Sequence, residues 1–153
     1  MASRVMVALR VKASPGRAFE AFTAEIGQWW KPNPLFAFTP RAPGVLSFEG
    51  TERLIETRDG GKVFEIGRIQ VWEPGVRLVV DWRQATFTPG MATQVEVTFE
   101  AVGDETRVTV THTGWDSVPK AHAAKHGFPD TAFLARHGEW WRTLLGSLRA
   151  HLG

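Results

Sequence analysis

Val5, Val7, Leu9 and Val11 alternate with Met6, Ala8, Arg10 and Lys12, the period-two rhythm of a half-buried strand over about residues 3–13. Ser14 and Pro15 follow, residue types suited to an N-cap and a first helical position. Ala18, Phe19, Phe22 and Ile26 then recur at helical spacing, and Gly27 is placed to end that helix. Residues 29–43 carry four prolines and several large aromatics, which reads as an irregular aromatic loop. Strands and turns follow, with candidate strands at 45–50, 52–58, 62–73, 76–84, 93–102 and 105–114. Asp59-Gly60-Gly61, Pro74-Gly75 and Gly103-Asp104 supply the turn chemistry between them, and links this short require antiparallel neighbours. Residues 116–129 are polar and interrupted by Pro119, Gly127 and Pro129. From Asp130, an N-cap residue type, a long helix is expected to about Leu152, with the apolar stripe Phe133, His137, Trp141, Leu144, Leu145, Leu148 and Leu152. The order is β, α, six β, α: a seven-stranded antiparallel sheet with one apolar face, covered by the long helix in an α+β arrangement.

Composition narrows the classes. A chain of 153 residues, 43% hydrophobic and 22% charged, suits one globular domain spanning 1–153, with no internal repeat or linker. The formal charge is only +2 although the sequence pI is about 9.4. With no Tyr and no Cys, nothing titrates between His and Lys, so the small positive excess persists to high pH. The 18 basic and 16 acidic residues are interleaved rather than clustered, which argues against a nucleic-acid partner. No apolar run approaches the roughly 20 residues of a membrane span, and the N-terminus lacks a signal-peptide core. The absence of Cys removes disulfides, thiolate catalysis and Cys-based metal sites, and fits a cytoplasmic location.

Four stretches together resemble a known family. They are VKASPGRAFEAFTAEIGQWW (11–30), GRIQVWEPGVRLVVDW (67–82), TQVEVTFEAVGDETRVTVTHTGW (93–115) and WRTLLGSLRAHL (141–152). In this order and spacing they are similar to the START-like SRPBCC superfamily, in particular the branch named after homologues of the activator of heat-shock protein 90 ATPase. The resemblance covers nearly the whole chain. It implies a helix-grip fold, in which a curved seven-stranded antiparallel sheet grips the C-terminal helix around a pocket. The superfamily includes lipid and hormone binders, cyclases and co-chaperone domains, so function has to be read from the pocket residues.

His112 is in phase with Val108 and Val110 and should face inward; His137 lies on the helix stripe one turn before Trp141. Two imidazoles from two elements could anchor a ligand's polar group or act as an acid–base pair, or could be histidines satisfied by hydrogen bonds at a rim. Trp30, Phe36 and Phe38 in the Pro-rich loop, Trp82, Trp115, Phe133 and Trp141 are the aromatic candidates for lining a hydrophobic ligand site. The same rings could instead fill the space. Glu49, Glu56, Glu65 and Asp81 are expected on the outer sheet face, paired with Arg53, Arg58, Arg77 and Arg83, so none is assigned as a catalytic acid. His122 and His126 are four apart but lack a third ligand, and no metal site is assigned. No nucleophile elbow and no phosphate-binding glycine loop occurs, so no cofactor is expected. The foremost reading is a non-enzymatic domain that binds a small hydrophobic molecule, as a monomer or homodimer. A cyclase- or hydrolase-like enzyme using cavity histidines, and a co-chaperone-like interaction module that activates a chaperone ATPase, are the alternatives.

Overall fold

The structure, a computed structural model, describes residues 4–30, 45–57, 59–82, 93–114 and 130–153, with side chains at all of these except 59 and 130–137. The elements are β1 (Arg4–Val11), α1 (Pro15–Thr23), α2 (Ile26–Trp29), β2 (Val45–Glu49), β3 (Arg53–Thr57), β4 (Val63–Glu73), β5 (Arg77–Trp82), β6 (Thr93–Val102), β7 (Glu105–Thr113) and α3 (Asp130–Leu152). The strand ends lie within about two residues of those expected from the alternation. All seven strands form one antiparallel sheet in the order β1-β7-β6-β5-β4-β3-β2. Strands β2 to β7 meander, and β1 returns from the N-terminus to pair along its whole length with β7, from Arg4 opposite Thr113 to Val11 opposite Thr106. This is the helix-grip α+β architecture: a curved sheet with the long α3 against its apolar face.

The first helical segment departs from expectation. Ser14 caps α1 by accepting from the Arg17 backbone N–H at 3.2 Å, with Pro15 in the first turn as anticipated. The helix then ends at Thr23, and Glu25, at φ −110° and ψ 17°, separates it from a second helical turn, α2. Gly27 does not terminate the helix. It lies inside α2, where an added Cβ would sit 3.1 Å from the Leu46 carbonyl oxygen and 3.2 Å from the Val45 side chain. Its missing side chain lets α2 lie close on β2. Trp29, expected in the loop, belongs to α2 and is buried, its indole N–H donating to the Ala21 carbonyl at 2.8 Å.

Strand β4 has no single inward parity because its pairing slips twice. The β3–β4 register shifts between Leu54 and Ile55, and the β4–β5 register shifts between Ile69 and Val71. Gly67 lies between these shifts. A Cβ there would fall 1.4 Å from the Asp81 carbonyl oxygen, so only glycine admits the β5 backbone at this point.

The core lies between sheet and helix. Trp141, Leu144, Leu145 and Leu148 of α3 are fully buried against Leu78, Val80, Val95, Val97, Val108 and Val110 of the central strands. Phe19 and Phe22 of α1 seal the other end through edge contacts with Trp72 and Phe99. Two polar ties hold the short helices to α3: Ser147 donates to the Trp29 carbonyl at 2.6 Å, and His151 Nε2 meets Glu25 Oε1 at 2.7 Å.

Candidate functional site

Strand β5 ends at Trp82, directly opposite Thr93 at the start of β6, and His112 near the end of β7 is opposite Val95. Val5, its partner on β1, packs against α3 at Gly138. One end of the concave face therefore collects the end of β5, the end of β7, the N-terminal half of α3 and Trp30 just after α2. Trp30 approaches Trp82, Trp140 and Trp141 with ring centroids 5.8, 5.6 and 5.8 Å apart, and Trp82 lies 5.7 Å from Trp141. Trp29 continues the group, 5.9 Å from Trp30. Offset and edge-on rings at these separations form one continuous aromatic wall.

His112 is fully buried in that wall. Its Nε2 is 2.9 Å from Thr93 Oγ1, and the Trp141 indole N–H donates to its Nδ1 at 3.3 Å. Donor and acceptor roles follow from the partners. The Thr93 hydroxyl donates its single proton to the Trp82 carbonyl at 2.5 Å, because a carbonyl only accepts; the hydroxyl therefore accepts from His112. An indole N–H only donates, so Nδ1 supplies a lone pair. His112 is thus neutral, with its proton on Nε2, and a charged imidazolium would have no lone pair left for Trp141. Chemically the group is a polar post inside an aromatic wall rather than a proton carrier.

A second polar group on this face corrects the sequence expectation. Glu56 was assigned to the outer face, but only 2% of it is exposed, and it shares its inward parity with fully buried Leu54. Its cross-strand neighbours are Leu46 and Phe64. Leu54 pairs with Gly67, which abuts Asp81, so Glu56 lies two residues farther along β3, toward the end of the sheet where Trp82 and Thr93 lie. It is the one buried carboxylate among the described residues. The other strand carboxylates do face outward: Glu49 and Glu65 pair with Arg53, and Asp81 accepts from Gln70 at 2.7 Å rather than from an arginine. Arg77 pairs with Glu96, 2.5 Å away. Arg58 and Arg83 lie outside the described residues.

Of the sequence candidates, Trp30, Trp82, His112 and Trp141 come together here. Phe36, Phe38 and Trp115 lie outside the described residues, as do the side chains of Phe133 and His137 and the pair His122 and His126. Sequence reasoning did not single out Trp140 or Thr93, and it placed Glu56 on the outer face. Trp140 had a signal, since it is four residues before Leu144 on the buried helix side. Among the described residues no group of three or more His, Asp or Glu could hold a metal ion, and no helix is long and apolar enough to cross a membrane.

With this geometry in place, comparisons locate the chain among known proteins. The family described as activator of Hsp90 ATPase homolog 1-like protein matches residues 12–153. The solution structure of the Aha1 dimer from Colwellia psychrerythraea is similar at a TM-score of 0.64 and 21% identity, covering 97% of this chain and 95% of that one. An Hsp90 activator from Plasmodium falciparum gives 0.64 at 17% identity, with 99% and 96% covered. A Mesorhizobium loti protein gives 0.62 at 17% identity, with 96% and 94% covered. At these identities the likeness is one of fold. No curated protein matches the chain in sequence.

Proposed function

This chain belongs to the activator of Hsp90 ATPase homolog 1-like family, a branch of the START-like helix-grip proteins, and from that premise we propose that it binds a small hydrophobic molecule between the sheet and α3. The observation that carries the reading is the combination at one end of the concave face. An aromatic wall of Trp30, Trp82, Trp140 and Trp141 is accompanied there by two inward polar groups, His112 and Glu56. Ligand sites are built this way, from mostly apolar walls with a few polar groups that orient the ligand. Phe36, Phe38, Trp115, Phe133 and His137 are retained in the proposal as the further contacts expected from the sequence. The driving force would be burial of ligand area at roughly 25 cal/mol per Å², less the cost of association.

The test is a panel of fatty acids and flat polycyclic aromatics titrated against the full chain. At least one should quench Trp emission and raise Tm, and Trp82→Ala should weaken the quenching by about tenfold or more, the effect of losing a buried ring contact. A panel that moves neither Tm nor emission removes the reading. The family's own description favours a second reading, activation of a chaperone ATPase; an unchanged Hsp90 ATPase rate at saturating protein would dismiss it. An enzyme reading based on His112 finds less support, because both ring nitrogens already have partners.

A further inference from the structure

On the far side of the sheet order from Glu56, β1 is an edge strand: it pairs with β7 on one side, and among the described residues no strand pairs with its other side. A groove of about 340 Å³ lies here, lined by Met6, Val7, Ala8, Leu9 and Arg142. Side chains of consecutive strand residues point to opposite faces. A groove touched by four consecutive residues therefore runs along the edge of the strand, where backbone N–H and C=O groups are presented. Arg142 of α3 forms its wall on the concave side. It is exposed and makes no ion pair among the described residues. Met6 is 55% exposed.

We propose that the β1 edge is a docking strand for an extended acidic segment of another protein, which adds as an eighth strand and places a carboxylate against Arg142. Charge decides the occupant. The edge is flanked by exposed Arg4, Arg10 and Lys12, and among the described residues only a distant 3.9 Å contact from Arg10 to Glu105 offsets them. Such flanking charges normally guard an edge against its own kind. A second copy pairing antiparallel about Val7 would set Arg4 against Arg10 at both ends and bring two Arg142 side chains to one groove. An acidic strand meets the same charges as attraction, while its main chain satisfies the β1 edge, the mode of recognition known as strand addition. The groove volume falls at the lower end of the range for ligand sites and admits a few residues rather than a globular surface.

The probe is the capped peptide Thr-Val-Thr-Glu-Thr-Val-Thr, whose β-branched residues favour an extended chain, titrated into the full ¹⁵N-labelled protein. The expected result is saturable shifts confined to the amides of β1 and the neighbourhood of Arg142, with affinity weakened about fivefold by Arg142→Glu, the scale of an exposed ion pair. Replacing the central Glu by Lys should weaken binding similarly. Backbone N-methylation on one edge of the peptide should abolish binding, and on the other edge leave it intact. That asymmetry is independent of any protein variant and distinguishes strand pairing from charge attraction. The proposal is overturned by the absence of shifts at roughly millimolar peptide, by equal tolerance of both methylation patterns, or by protein-only, concentration-dependent shifts of the same amides, which would identify a second copy as the occupant.

Discussion

Among the described residues His112 stands between a donor, Trp141, and an acceptor, Thr93, beside the indoles of Trp82 and Trp141, and its chemistry follows from which neighbour plays which part. A ¹⁵N correlation spectrum of the imidazole should show the proton on Nε2 and a lone pair on Nδ1; a proton on Nδ1 contradicts the arrangement. His112→Ala would leave the buried Trp141 N–H without this acceptor and open a void, an expected loss of about 2–4 kcal/mol in denaturant unfolding. A loss below about 1 kcal/mol would show that the network contributes little. The inward direction of His112 was legible from its phase with Val108 and Val110. Its partners were not, because Thr93 is 19 and Trp141 29 residues away in sequence. Glu56 was misplaced for another reason: adjacent Leu54 and Ile55 are both buried, so the pattern of β3 marks no single covered face, and a carboxylate was assigned to the water side by its charge.

The short helices are held to α3 by a charged joint. Arg17 hydrogen-bonds Glu25 through both terminal nitrogens, Nη2 at 3.1 Å, and His151 approaches the same carboxylate at 2.7 Å. Arg17 first, then His151, lowers the Glu25 carboxyl from 4.5 to about 2. A carboxylate depressed in the folded state contributes stability that is complete above its unfolded value and is lost as the pH falls through the folded one. Tm of the wild type should therefore fall more steeply between pH 4.5 and 2 than that of Glu25→Gln, which should start lower at neutral pH. Parallel curves would show that the joint carries no linkage. Helical spacing made α1 and α3 legible. The break at Glu25 was hidden, because Phe22 and Ile26 keep the apolar rhythm across it, and the reason for Gly27 appears only where α2 meets the Leu46 carbonyl.

Across the whole molecule, the first strand completes its pairing only with the last one. β1 and β7 are about one hundred residues apart, yet they match residue for residue, and Val5, Val7 and Val11 are buried in the core. Pairing across such a separation slows folding, so refolding followed by Trp emission should fall in the range of milliseconds to seconds. Complete recovery within roughly 100 microseconds would contradict a rate-limiting closure by β1.

The sequence alone determined the order of the strands and the long helix, the faces of β1 and β7, the buried side of α3 from Trp141 onward and the resemblance to the helix-grip proteins. Each of these is a local property, since alternation and helical spacing record which side of one segment is hidden from water. Tertiary structure decided the rest: the meeting of Trp30 with Trp82, Trp140 and Trp141, the inward placement of Glu56, the tautomer of His112 and the edge groove beside Arg142. These depend on register and on the close approach of backbones, as at Gly67 and Gly27, which couple segments distant along the chain and leave no periodic trace in any one of them.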